Sequence, residues 1–227
     1  MGGELKRADN MLPDEAGPPG SLKEQAYEAI KHRIITCAFK PGEELSENAV
    51  AAMLNFGRTP VHQAFDRLHT EGLVNVQPRK GIVVRPIDLG EVIDIIETRI
   101  LNEAYAARLA AERASSAEIV AIRDALARSE KVTQEGNVEG MMLLDREFHR
   151  LIARAANNFA LSDILLRLHE RSLRLWFMSL ADTQHQASVQ DQHREICEAI
   201  SHRDPDAADA AMREHINSFR RNVLKNF

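Results

Sequence analysis

Along most of the 227 residues, apolar side chains recur every three or four positions, a period that indicates amphipathic helices. The first helix is predicted to begin at Ser21, with Glu24 in a capping-box position, and to end near Cys37. The second is predicted to run from Ser46 to Asn55, because asparagine tolerates the left-handed backbone of a tight turn. Its predicted inward face consists of Ala49, Val50, Met53 and Leu54.

A third helix is predicted to open on Arg58-Thr59-Pro60, because proline in the first turn loses no helical hydrogen bond, and to end at Gly72. Its predicted buried face consists of Val61, Ala64, Phe65 and Leu68. Residues 73–76 and 82–84 then alternate or run apolar like strands. Between them, Pro78-Arg79-Lys80-Gly81 predicts a turn with basic side chains, so the segment is predicted to form a hairpin.

From Asp88 onward the pattern is helical only. We predict six helices with breaks at capping residues, the fourth break covering residues 182–186. They span residues 88–113, 115–133, 137–156, 159–180, 187–202 and 205–225. Short connections favour a helical bundle. Residues 1–20, rich in Gly, Pro, Asp and Glu, predict a disordered tail. The predicted domains are therefore a tail at 1–20, a small domain at 21–86 and a helical domain at 87–227.

Composition excludes some classes of protein. No apolar run is long enough to span a membrane and no signal peptide is recognisable, which excludes a membrane protein. Two distant cysteines, Cys37 and Cys197, argue against a disulfide framework and favour the cytoplasm. The net charge of −5 opposes nucleic-acid binding, but it is unevenly distributed. Residues 21–86 hold nine Lys or Arg against seven Asp or Glu, so a basic contact face remains available.

The first three helices and the hairpin predict a winged helix-turn-helix that binds DNA. In that motif the N-terminal residues of the second helix of the pair approach base edges and phosphates. Arg58 and Thr59 stand at this position, and His62 and Gln63 lie one turn later. Arg79 and Lys80 are placed to contact the DNA backbone or minor groove from the wing. The alternative is a helical hairpin within a larger fold, whose charged residues are merely solvated.

The helical region contains a possible metal site. Asp145 and His149 are four residues apart and so share one face of a helix, and His193 and His215 follow on later helices. One carboxylate with three imidazoles suits Zn, Ni, Mn or Fe. A helical Asp/His pair can equally be a surface pair. On composition alone, His169, His185 and His202 remain alternative ligands.

Residues 22–86 resemble the winged helix-turn-helix domain of the GntR superfamily of transcriptional regulators. The matching stretches are Pro41-Gly42-Glu43-Glu44-Leu45, Arg58-Thr59-Pro60-Val61-His62-Gln63-Ala64-Phe65, Leu68-His69-Thr70-Glu71-Gly72-Leu73-Val74 and Lys80-Gly81. The resemblance implies DNA contacts by Arg58 and Thr59 and by the wing. His62, Gln63 and Asn48 stand where the family usually has Arg, Glu and Arg, so they correspond by position only.

Residues 88–227 resemble the FCD effector domain of the FadR branch, in its shorter, VanR-like form with six helices. The matching stretches are Asp145-Arg146-Glu147-Phe148-His149, His193-Arg194-Glu195-Ile196 with Ala199-Ile200, and His215. The resemblance implies a divalent metal held by the Asp and three His. Glu97-Thr98-Arg99 matches a signature whose arginine faces the ligand cavity, which implies that Arg99 binds the effector. We expect Arg174 and His169 to shape the pocket, and Trp176 to be a packing residue.

Taken together, the sequence predicts a homodimeric, ligand-responsive regulator that binds a palindromic operator in double-stranded DNA. The resemblance implies a repressor released by a small organic acid. Two alternatives remain, a metal-dependent hydrolase-like domain fused to a DNA-binding module and a DNA-binding protein without an effector. The hydrolase needs a general base beside the metal. The candidates Glu147, Glu195 and Glu214 each lie one helical step from a ligand face, so we predict that the chain is not an enzyme.

Overall fold

A computed structural model describes residues 20–77, 81–179 and 183–225. Within these ranges the chain forms nine helices and three short strands. The helices are α1 (Leu22–Ile35), α2 (Glu47–Leu54), α3 (Arg58–Thr70), α4 (Leu89–Arg113), α5 (Ser116–Gln134), α6 (Val138–Ala155), α7 (Phe159–Ser179), α8 (Thr183–Ser201) and α9 (Pro205–Lys225). The strands are β1 (Glu44–Leu45), β2 (Val74–Gln77) and β3 (Gly81–Val84). The predicted fold class, a winged helix-turn-helix followed by six helices, is confirmed. Most of the predicted tail, residues 1–19, lies outside the described residues.

Capping residues define several of the predicted helix starts. Ser21 Oγ accepts a hydrogen bond of 3.3 Å from the backbone N–H of Glu24, and Asp88 Oδ1 accepts one of 2.8 Å from that of Glu91. Each bond satisfies a donor that the first turn of a helix leaves without an intrahelical partner. Ser46 precedes α2 as predicted but makes no capping bond through its side chain. Asn55 adopts the expected left-handed backbone, with φ of 56°.

The three strands form one antiparallel sheet in the order β1, β3, β2. The pairing of β2 with β3 is the predicted hairpin, in which Val76 lies opposite Ile82. Strand β1 was not predicted. It is two residues long, too short for an alternating pattern, and exists because Leu45 pairs with Ile82 in a distant part of the chain. The tip of the wing, residues 78–80, lies outside the described residues.

The N-terminal region has its own hydrophobic core. Helices α1 and α3 pack together, and the four predicted inward residues of α3 are each at most 1% exposed: Val61, Ala64, Phe65 and Leu68. For α2 the predicted face was partly wrong. Val50 and Ala51 are buried, whereas Ala49 is exposed and Met53 is 61% exposed. An eight-residue helix that packs mainly against α3 buries a stripe narrower than its apolar sequence suggests.

In the C-terminal bundle, α4 lies at the centre and packs against α6, α7, α8 and α9. Its inward alanines, Ala104, Ala107 and Ala110, are fully buried and leave room for neighbouring helices to approach closely. The predicted break at residues 182–186 was wrong in part, because α8 already begins at Thr183. His185 in its first turns is buried, with its ring 5.5 Å from that of Trp176. This contact with α7 stabilises the first turns of α8, which the polar local sequence did not predict to be helical. No helix in the described ranges is long and apolar enough to cross a membrane.

Candidate DNA-binding surface and metal centre

Helix α3 has two chemically different sides. While its apolar side is buried, Arg58, Thr59, His62 and Gln63 are all exposed at its N-terminal half. The first-turn N–H groups of a helix carry partial positive charge and have no intrahelical acceptor, so this end suits a phosphate. Gly57 precedes the helix without a side-chain cap. The helix therefore presents one arginine fork and open backbone donors at the end that the sequence predicted.

His62 is held by two acidic side chains. Its Nδ1 lies 3.0 Å from Glu47 Oε1 on α2, and its Nε2 lies 3.5 Å from Asp66 Oδ2 on its own helix. The hydrogen bond and charge of Glu47 raise the pKa of the exposed His62 imidazole above its ordinary value. Asn48 is also exposed, at the start of α2 next to Glu47. The acidic neighbours make this surface less basic than the arginine-rich pattern of the family.

The predicted wing residues Arg79 and Lys80 lie outside the described residues. Gly81, at the start of β3, is exposed and has φ of +81°. A side chain there would be strained, and its Cβ would lie only 3.3 Å from the carbonyl oxygen of Leu45. A glycine is therefore required where the wing turns back into the sheet.

The four predicted metal ligands come together inside the bundle. Asp145 and His149 extend from α6, His193 from α8 and His215 from α9, and one ligand atom from each lies within 4.8 Å of the others. His149 Nε2 is 3.1 Å from His215 Nε2 and 3.7 Å from Asp145 Oδ1. His193 Nε2 is 3.3 Å from the same carboxylate oxygen. All four side chains are buried, the most exposed being Asp145 at 6%.

Hydrogen bonds among these four side chains leave several donor and acceptor atoms unsatisfied, and a bound cation would satisfy them. Asp145 Oδ1 and both ring nitrogens of His193 are buried and make no well-directed hydrogen bond within the described residues. Burying such atoms without a partner is costly, and a metal ion coordinated by all four would satisfy them. The Phe148 ring stacks on the His193 imidazole with centroids 4.4 Å apart, and Gln192 Oε1 lies 3.1 Å from His215 Nδ1. These contacts fix the orientation of two of the rings.

Burial also selects the protonation states that bind cations. It lowers the pKa of His193, and it lowers the pKa of His215 well below its ordinary value, so both imidazoles are neutral near pH 7. Burial raises the pKa of Asp145, but the interactions of this carboxyl with His149 and then His193 outweigh burial and lower its pKa. Neutral imidazoles and an ionised carboxylate are the forms required of metal ligands.

A second group of side chains meets the first at His149. Glu103 on α4 and His169 on α7 complete this group, with Glu103 Oε2 2.6 Å from His149 Nδ1 and 3.3 Å from His169 Nε2. Arg99 is buried beside them, its Nε 2.5 Å from Glu103 Oε1. Sequence reasoning missed Glu103. The sequence signal that could have identified Glu103 is its position four residues after Arg99, on the same face of α4.

Around the two groups, the remaining candidates have structural contacts. Trp176 is 4% exposed and packs against Phe219, in keeping with the packing role expected for it. Arg174 Nη1 donates to the carbonyl oxygen of Arg85, at 2.8 Å, and so lies away from the cluster. Of the alternative ligands, His202 is exposed and His185 packs against Trp176. His169 alone joins the ligand-rich region, through His149 and Glu103.

A narrow opening leads toward the cluster between α6 and α7. Arg146, His149, Arg150 and His169 contribute to its lining. Arg146 is bound to Glu170, whereas Arg150 is exposed. Positive side chains at an entrance to a cation site favour the approach of an anion.

Comparison with known families identifies both regions of the chain. Residues 22–84 match the family described as bacterial regulatory proteins of the gntR family, and residues 94–218 match the FCD domain. The chain belongs to the gntR family of bacterial transcriptional regulators and carries an FCD domain. The regulator is thus a DNA-binding protein, and its family membership excludes the enzyme class.

Two curated relatives illustrate the similarity. The regulator is 32% identical over 188 residues to the Nta operon transcriptional regulator of Aminobacter aminovorans. The matched region covers 82% of this chain and 87% of that protein. It is 26% identical over 209 residues to the HTH-type transcriptional repressor RspR of Escherichia coli, covering 92% of each.

Solved structures share the fold over nearly the whole chain. Escherichia coli McbR/YncC superposes with a TM-score of 0.80 at 20% identity, covering 92% of this chain and 99% of that one. A GntR regulator described as putative, from Rhodococcus sp. RHA1, gives a TM-score of 0.78 at 18% identity, covering 92% and 100%. At these identities the likeness concerns the fold alone.

Proposed function

We propose that this regulator senses a small carboxylate at a divalent metal bound by Asp145, His149, His193 and His215. The observation that carries the proposal is the buried convergence of these four donors, in which Asp145 Oδ1 and the His193 nitrogens make no well-directed hydrogen bond within the described residues. Three imidazoles and one carboxylate suit Zn, Ni, Mn or Fe. A divalent cation bound there supplies a Lewis-acidic centre with coordination positions open to an oxygen ligand.

The protein's own residues then admit and orient the acid. Arg146 and Arg150 flank the opening that reaches His149, and their charge favours an anion over a neutral molecule. Arg99 is the residue proposed to contact the effector from inside the bundle. Its guanidinium is only 4% exposed and lies near the metal ligands, where a carboxylate would meet little competition from water.

On the DNA side, we propose that Arg58 and Thr59 contact the operator directly and that His62, Gln63 and Asn48 line the same surface. Gly81, with Arg79 and Lys80, is proposed to shape a wing that contacts the backbone or minor groove. One copy offers one such helix. A homodimer with its recognition helices about 34 Å apart would bind a palindromic site in double-stranded DNA. We also propose that the domain boundaries lie between residues 20 and 21 and between residues 86 and 87, which separate the tail, the DNA-binding domain and the helical domain.

A chain of charged contacts offers a route between the two sites. Glu170 on α7 binds Arg146, the residue after the metal ligand Asp145, and also binds Lys31 on α1. Lys31 is only 5% exposed, and its ammonium group donates to Tyr27, whose hydroxyl donates in turn to Glu71 just after α3. Movement of α6 on ligand binding would thereby reach the recognition helix. Allosteric coupling of this kind is a free energy shared by two sites.

We propose repression relieved by the ligand as the regulatory outcome. The relatives named as repressors, RspR among them, support this direction. The hydrolase alternative is not favoured, because Glu147, one of the general bases it would need, binds Arg128 at 2.7 Å. The alternative without an effector predicts no stabilisation of the protein by any small acid, and that prediction separates it from our proposal.

The test is a thermal-shift screen of small carboxylates with Zn²⁺, Ni²⁺, Mn²⁺ or Fe²⁺, and again with chelator, joined to metal analysis of the purified protein. We expect about one metal per chain, and an acid that raises Tm only when metal is bound. A His149→Ala/His193→Ala variant should lose both effects, since half of the ligand set is gone. His202→Ala, an exposed histidine on the same bundle, is the matched control and should keep them. Metal content unchanged in the double variant would refute the site.

A further inference from the structure

Glu103 and the metal ligands lie on opposite sides of one imidazole. His149 Nε2 lies 3.7 Å from Asp145 Oδ1 and 3.1 Å from His215 Nε2, while Nδ1 lies 2.6 Å from Glu103 Oε2, close enough for a hydrogen bond although the N–H is not aligned with that oxygen. The two nitrogens of an imidazole point away from each other, so both cannot bind the same cation. Glu103 therefore lies beside the nitrogen of His149 that faces away from Asp145, His193 and His215, and belongs with His149 and His169 in a separate group.

Glu103 is itself held in place by several buried contacts. Arg99 Nε donates to its Oε1 at 2.5 Å, Arg99 Nη1 donates to Ser172 Oγ at 3.3 Å, and Arg99 Nη2 lies 3.3 Å from His169 Nε2. Arg99 thus holds the Glu103 carboxylate through Oε1, while Oε2 faces His149.

The adjacent arginine also argues against a second cation in this group. Glu103, His149 and His169 could supply ligand atoms within 4.8 Å of one another, yet the Arg99 guanidinium already neutralises Glu103. A divalent ion there would face a buried positive charge a few ångströms away, without water to screen it. The geometry therefore favours a hydrogen-bonded carboxylate over a second metal site.

We propose that Glu103 is a positioning residue for the metal centre: it accepts the Nδ1–H of His149 and keeps Nε2 of that ring unprotonated and aimed at the cation. The inference rests on the proposed metal site. A carboxylate behind a ligating histidine fixes the ring tautomer and orientation and makes the other nitrogen more basic, and its loss typically weakens metal binding by about 10- to 100-fold. Arg99 acts one step further back, by orienting Glu103.

The contacts of Arg99 with Glu103, Ser172 and His169 also limit how Arg99 can bind an effector. All three of its guanidinium nitrogens have partners inside the bundle. An acid that bound Arg99 in bidentate fashion would displace Glu103 and so loosen His149. An acid that bound the metal alone would leave the Glu103–His149 bond intact.

The test uses Co²⁺ as a spectroscopic probe in the full-length protein, with ¹⁵N NMR of the histidine rings. In the wild type we expect His149 to be protonated at Nδ1 before metal is added, and Co²⁺ to give d–d bands on binding. Glu103→Gln should weaken Co²⁺ binding by about 10- to 100-fold, change the d–d bands and shift the His149 tautomer. Glu112→Gln, an exposed glutamate on the same helix, should change none of these.

Glu103→Gln leaves Arg99 buried without its counter-ion, so circular dichroism is used to check that the bundle is folded. Glu103→Asp then decides, because it keeps the charge beside Arg99 but withdraws the carboxylate from His149 by one methylene. A folded Glu103 variant with wild-type Co²⁺ affinity, bands and tautomer would overturn the positioning role while leaving the metal site standing. A wild-type protein that binds no Co²⁺ would overturn the metal site, and the inference with it.

Discussion

The two candidate sites of this regulator are built in opposite ways. The candidate DNA-binding surface consists mainly of exposed side chains on one short segment, Arg58, Thr59, His62 and Gln63. The candidate metal centre consists of side chains from α6, α8 and α9, and its most exposed member, Asp145, is only 6% exposed. An exposed site can change its residues at little cost in stability, whereas a buried polar site has to satisfy every donor and acceptor. Three departures from the family pattern, Asn48, His62 and Gln63, lie on this exposed surface.

The largest expected effect tests the exposed side of this contrast. Arg58→Ala should abolish specific binding to an operator selected from random DNA by the wild-type protein, by about 100-fold or more in a dimer with two such contacts. Tm should not change, because the side chain is exposed and packs against nothing in the core. A gel shift at fixed salt measures the first quantity and thermal unfolding the second. Undiminished affinity would remove Arg58 from the DNA contacts, and Arg221→Ala on α9 serves as a charge-matched control.

A second experiment asks whether the buried site and the exposed surface communicate. Glu170→Gln removes the charge that binds both Lys31 and Arg146. We expect the change in operator affinity caused by metal and a stabilising carboxylate to shrink several-fold, since contacts along a coupling route typically modulate it by about 0.5–2 kcal/mol. Fluorescence anisotropy of labelled operator DNA, with and without the acid, measures the effect. Asp163→Asn, whose partner Arg167 lies on the same helix, should leave the coupling unchanged.

The smallest predicted effect concerns pH. Glu47, with a smaller contribution from Asp66, raises the pKa of His62, so the charged imidazole persists to a higher pH than a free histidine. Its positive charge favours phosphate, so operator affinity should fall, by less than about tenfold, as pH rises through that raised pKa. His62→Gln should flatten this part of the pH profile. Equal pH dependence in wild type and variant would show that His62 does not titrate against DNA.

Local signals predicted much of the architecture. Capping serines and aspartates, the left-handed Asn55 and the helical period of Val61, Ala64, Phe65 and Leu68 depend on neighbours within a few residues, and each was predicted from the sequence. Elements that depend on distant partners were missed or misplaced. Strand β1 exists only through its pairing with β3, and the first turn of α8 lies where its polar sequence predicted a break.

The sequence by itself determined the helical bundle and the α3 face that carries Arg58, because these follow from periodicity and local motifs. It singled out four metal-ligand candidates only through the resemblance to the FCD domain. Tertiary structure alone decided that Asp145, His149, His193 and His215 converge, and that His185 and His202 do not join them. It also placed Glu103 behind His149. The physical reason is that helical period specifies which face of a helix points inward, while the packing of α4, α6, α8 and α9 fixes which inward side chains meet.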